Sequence, residues 1–97
     1  AGSTFVAVPD GGKIIKIFTS IKNAISTANA AITFEIGGTA VTGAAITVTQ
    51  SGSAAGDVDT SEPTAANSVT EGGTIEIITD GGSSTACEMI VTFVIRR

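Results

Sequence analysis

AITFEIGGTAVTGAAITVT, residues 31–49, is the stretch that decides the fold. Its opening residues alternate: Ile32, Phe34 and Ile36 point one way, Thr33 and Glu35 the other. A period of two marks a strand with one buried face. Gly37-Gly38 supplies the positive φ of a tight reversal, so Thr39–Thr42 returns as the second arm of a hairpin. Ala45–Thr49 alternates again, with Ile46 and Val48 opposite Thr47 and Thr49.

The same grammar runs toward both ends. Thr4–Val8 reads as a strand stopped by Pro9-Asp10-Gly11-Gly12, where proline fixes φ and the glycines accept a turn. Lys13–Thr19 follows, with Ile15 and Ile17 expected on one face and Ile14, Lys16 and Phe18 on the other. Thr74–Thr79 and Cys87–Arg96 close the chain across Asp80-Gly81-Gly82-Ser83-Ser84. From Ser51 to Gly73 the composition shifts to Ser, Ala, Gly, Asp, Asn and Thr. A structureless loop of that length is rare in a compact domain, so short strands are expected near Gly56–Thr60 and Ala66–Val69. Turn signals recur roughly every eight to twelve residues, the spacing of a sandwich or barrel. The expectation is an all-β fold, an antiparallel β-sandwich of about eight short strands. Pattern alone does not separate a jelly-roll from an immunoglobulin-like strand order.

Two segments carry a second signal. Ile21, Ala24, Ile25 and Ala28 fit a helical spacing after Ser20 as N-cap. Thr27 and Asn29 are indifferent helix formers, and a turn at Lys22-Asn23 between extended segments is the preferred reading. In the last strand Cys87, Met89, Val91, Phe93 and Ile95 form one apolar face, while Ile90 and Val94 lie on the other. Such a strand is either central and covered or part of a subunit interface, and Ile90 and Val94 are the candidate interface residues.

The chain has 97 residues, enough for one core and not two. A domain of this size buries only about 60–65% of its unfolded surface, and oligomerisation is a common aid. Hydrophobic residues make up 42% and charged ones only 14%, so the chain is far from the disordered regime and its surface is poor in charge. A surface so depleted is expected where partners cover it. Nine acidic and five basic residues leave a net charge of −4. Lys13, Lys16 and Lys22 are spread out and Arg96-Arg97 is a terminal pair, so no basic stripe exists to bind nucleic acid. No apolar run is long enough to span a bilayer and no signal-peptide pattern is present, which sets the expectation of a cytosolic site of synthesis. A start at Ala1 fits a trimmed initiator methionine or a processed precursor.

Chemistry is conspicuous by what the composition lacks. There is no His, Trp or Tyr. Serine or cysteine triads relying on histidine and the usual imidazole route to zinc are therefore closed. Cys87 has no partner for an intramolecular disulfide and reads as a small core hydrophobe. The glycine pairs lack the following helix and Lys-Ser/Thr of a phosphate loop. With four Phe as the only aromatics, sugar-stacking platforms are scarce, and no carboxylate pair stands out for glycoside hydrolysis. The chain is expected not to be an enzyme, and no cofactor is implied. Asp57, Asp59 and Glu62 could offer oxygen ligands to calcium, but the spacing fails the EF-hand loop. A solvated acidic loop is preferred; contact with a basic partner is compatible with either reading, and Asp57 and Asp59 are the candidate partner-binding residues.

Three phrases together carry a resemblance: ITFEIGGTAVTGAAITVT (Ile32–Thr49), SGSAAGDVDTSEPTAANSVTEGGTIEIITDGG (Ser51–Gly82) and the terminal VTFVIRR. Gly56-Asp57-Val58-Asp59, Pro63-Thr64-Ala65-Ala66-Asn67, Val69 and Gly72 are the most specific part. Over residues 5–97 the chain resembles small decoration (cement) proteins of tailed bacteriophage heads. The resemblance implies a jelly-roll-type β-sandwich, a homo-oligomer (a trimer in preference to a dimer), and a place on the outer capsid surface of the virion. The implied partner is the major capsid protein, with neither nucleic acid nor membrane bound. No individual functional residue is carried over. The small polar segment Ala1, Gly2, Ser3, Thr4 is expected as a flexible arm that orders on docking, ahead of a single domain over residues 5–97. The competing expectations are the head of a phage fibre or spike and a non-viral adhesin-like or carbohydrate-binding β-sandwich, since fold alone does not choose.

Overall fold

The computed structural model describes residues 2–22, 24–25, 28–79 and 89–97. Cys87, Ala1, Asn23 and the 80–84 connection, on which several expectations fall, lie outside them.

Among the described residues nine strands form two antiparallel sheets and no helix occurs. In chain order they are β1 (Gly2–Ala7), β2 (Gly12–Ile21), β3 (Ala30–Ile36), β4 (Thr39–Ala40) and β5 (Ile46–Val48). They continue with β6 (Val58–Ser61), β7 (Ser68–Val69), β8 (Thr74–Thr79) and β9 (Met89–Arg96). The first sheet runs β1-β8-β3, with β4 and β5 end to end along the far edge of β3. The second centres on β2. Ile17 pairs with both Ser61 of β6 and Phe93 of β9, and Lys13 with both Ser68 of β7 and Arg96 of β9. Hence β6 and β7 share one edge of β2 and β9 holds the other.

The alternation of the deciding stretch places its apolar residues inward. Ile32, Phe34, Ile46 and Val48 are buried, while Thr33, Thr47 and Thr49 are exposed. Gly37 and Gly38 both take positive φ at the hairpin between β3 and β4. From the second sheet Ile14, Ile17 and Ile21 meet Ile75 and Ile77 of the first in one shared core. Phe34 of β3 receives Phe93 of β9 edge-to-face, ring centroids 5.8 Å apart, so the two sheets face each other.

One facing expectation is corrected. Ile14 and Ile17 are both buried on β2, not on opposite faces. Ile14 pairs with Ile95 and Lys16 with Val94, so Ile15 is an extra residue, a β-bulge. A bulge shifts the alternation by one, which returns Ile17, Thr19 and Ile21 to the core side. Buried Asn67 serves this irregularity: its side-chain amide donates to the Ile14 carbonyl at 2.7 Å, and its own carbonyl accepts from the Ile14 N–H.

The composition-shifted stretch is tied down by its polar side chains. Ser53 Oγ accepts from the Ile25 N–H and donates to the Ile25 carbonyl, while Asn29 Oδ1 accepts from the Gln50 N–H. These bonds hold residues that could have made a helix in non-helical chain: Ala24, Ile25 and Ala28 belong to no helix.

Candidate interaction surface

Strand alternation fixes what each sheet shows to solvent. On β2, burial of Ile17, Thr19 and Ile21 turns Lys16, Phe18 and Ser20 outward. The register then builds three cross-strand rows on the outer face of the second sheet. Val58, Ser20 and Ile90 form one, and Thr60, Phe18 and Thr92 the next. Lys16 and Val94 form the third, with the Lys16 ammonium 3.8 Å from Glu62 and 5.5 Å from the centre of the Phe18 ring. Both contacts are exposed and weak, about 0–1 kcal/mol each. They hold the Lys16 ammonium over the aromatic ring and leave the centre of the face apolar or hydroxyl-bearing, while Lys13 and Arg96 pair at one end of it and Lys22 lies at the other.

Among the described residues four large hydrophobics are exposed: Phe5 at 63%, Val58 at 60%, Ile90 at 71% and Val94 at 37%. Three of them, Val58, Ile90 and Val94, share this one face, so the apolar exposure is a patch and not a scatter. A pocket of about 210 Å³ lined by Ser20, Ile21, Lys22, Met89 and Ile90 opens at its end.

The outer face of the first sheet has the opposite character. Phe5, Glu76, Glu35 and Ala40 stand in one cross-strand row, which sets two carboxylates directly opposite each other. Like charges in that position repel, and the arrangement is tolerated where water bathes the face.

The candidate residues named from sequence fall in different places. Ile90 and Val94 lie on the patch. They sit on an edge strand, since β9 pairs only with β2 among the described residues. Val58 and Phe18 complete the patch and were not picked out. Phe18 is expected on the same face as Lys16 and shares it here, whereas Val58 lies inside a polar stretch. Gly2, Ser3 and Thr4 form the start of β1, in unbroken register with Thr79, Ile78 and Ile77. The strand thus begins earlier than its apolar pattern, because backbone pairing needs no apolar side chain.

Asp57 closes its own turn: Oδ2 accepts from the Ala54 N–H at 2.8 Å. Asp59 stands in β6 opposite buried Thr19, half-buried, while Glu62 is exposed beside Lys16. The three acids therefore do not converge. No group of three potential metal ligands occurs among the described residues.

No protein-family model matches the chain, and no curated protein or solved structure is significantly similar to it.

Proposed function

We propose that this chain is a head-decoration protein of a tailed bacteriophage, a β-sandwich of jelly-roll type that seats on the outer capsid surface and cements the shell. The observation that carries the reading is the contrast between the two outer faces. One presents Val58, Ile90, Val94 and Phe18 with Thr60 and Thr92 at its centre, with Lys16 over the ring and the cations Lys13, Arg96 and Lys22 toward its two ends. The other presents Glu35 and Glu76 beside one exposed ring, Phe5. A protein that lies flat on a shell needs one face that gives up its water easily and one that stays wet. Each buried aliphatic side chain of the patch would contribute about 1.5–3 kcal/mol, and repetition over many copies turns modest contacts into a stabilised shell. The low overall charge suits the same task. The major capsid protein is the partner, and no catalytic group or cofactor enters the account.

The test uses undecorated tailed-phage shells, sedimented with the protein and then heated. The expected result is saturable binding and a raised disruption temperature, both weakened by Val58→Asp or Ile90→Asp. If the wild-type chain binds no shell, a non-viral adhesin-like module takes precedence.

A further inference from the structure

The two sheets are unequal in width. Across its middle the first has four strands, β1, β8, β3 and β5, and the second has three, β9, β2 and β6. At one side β5 and β6 pack together, and Phe93 of β9 reaches Phe34 of β3. With the sheets aligned there, β1 projects past β9 at the other side. Exposure confirms the overhang. Thr4 and Val6 face inward, opposite buried Ile77 and Ile75, yet Thr4 is exposed and Val6 only half-buried. Met89, Val91, Phe93 and Ile95, the inner row of β9, are likewise only half-buried. The position beside β9 and beneath β1 is a step one strand wide.

Among the described residues both edges at this step are lightly guarded: residues 2–8 and 89–95 contain no charged residue and no proline, Arg96 alone charges the end of β9, and the bulge of the second sheet sits on β2. Exposed edges of natural sheets are normally blunted by such devices, because a bare edge recruits another strand.

We propose that the occupant is a second copy of this chain, related by a two-fold axis that runs along the strands. That rotation exchanges upper and lower sheets. It brings the projecting β1 of each copy beside the recessed β9 of the other, and four strands plus three give two continuous seven-stranded sheets. Strand directions follow from the connections. Val8–Gly11 turns β1 straight into β2, which runs back and pairs antiparallel with β9. So β1 and β9 point the same way, and each junction is a parallel pair. Val6 and the inner row of β9 become covered in the dimer.

Six residues of β1 span roughly 20 Å, and the molecule is 20–21 Å across its short axes. The facing area is about 400 Å² in projection per copy, or about 800 Å² for the pair, below the ~1,200–2,000 Å² of a permanent complex. The dimer is therefore concentration-dependent.

The proposal is independent of what the outer face binds, and its test contains no shell. Sedimentation velocity of the isolated chain from about 1 µM to 1 mM, a span of about 4 kcal/mol in association free energy, reads the mass. The expected result is a reversible rise from one copy to two. Thr4→Lys, a substitution at an exposed side chain, is expected to move the midpoint at least tenfold higher with an unchanged unfolding temperature below that midpoint. Thr47→Lys on the far side and Ile90→Lys on the outer face are expected to leave it in place. A monomer throughout, a trimer, or a dimer indifferent to Thr4→Lys but abolished by Ile90→Lys would each overturn the proposal.

Discussion

Thr19→Val is expected to stabilise the protein. Thr19 is fully buried on the core side of β2, and its Oγ1 has no hydrogen-bond partner; Ser61 Oγ, two residue pairs along on β6, has none either. A buried hydroxyl stripped of water and left unbonded costs about 1–3 kcal/mol. Valine keeps the branched shape and the strand preference while replacing the hydroxyl with a methyl group. The expected gain is about 1–2 kcal/mol, which for a domain of this size raises the unfolding midpoint by roughly 4–8 °C per kcal/mol. Urea unfolding at a concentration where the chain is monomeric measures it, with an unchanged slope showing that the same surface unfolds. A loss of 1 kcal/mol or more would refute the reasoning. It would mean that the hydroxyl is bonded, through Asp59 or an enclosed water.

Further substitutions probe other parts of the account. Gly12→Ala would drive a Cβ into the Arg96 carbonyl at a φ of 153°, and is expected to cost at least ~2 kcal/mol in urea unfolding. Gly37→Ala, with open space around its Cβ, is expected to cost only about 1 kcal/mol by the same assay. Phe34→Ala removes the ring shared with Phe93 and should cost about 3–5 kcal/mol, leaving a chain largely unfolded at 37 °C by circular dichroism. Asn67→Ala deprives the Ile14 carbonyl of its buried donor and should cost about 1–3 kcal/mol. Hydrogen exchange would place that loss at the bulged end of β2.

Much of the two-sheet fold was legible because alternation is local. Ile32, Phe34, Ile46 and Val48 declared their faces by spacing, and Thr74–Thr79 was bounded correctly by its flanking glycines and aspartate. The bulge at Ile15 was not legible. An unbroken run of Ile14, Ile15, Lys16 and Ile17 looks the same with or without an extra residue, and only the partner strand reveals the slip. Val58 was missed for a related reason. It lies in the short strand expected near Gly56–Thr60, but its exposure on a sheet face depends on pairing with Ser20, far away in sequence. The edge position of β9 and the width mismatch between the sheets are likewise non-local facts. Ile90 and Val94 could be found because a second apolar row on one strand is itself an anomaly.

The most direct test of the decoration reading is the number of copies of this chain bound per undecorated phage shell at saturation. The account predicts a plateau at a fixed multiple of the shell's symmetry-related positions, lost in Val58→Asp and kept in Glu35→Gln. A shell that binds no protein, or binds it without a plateau, would contradict it.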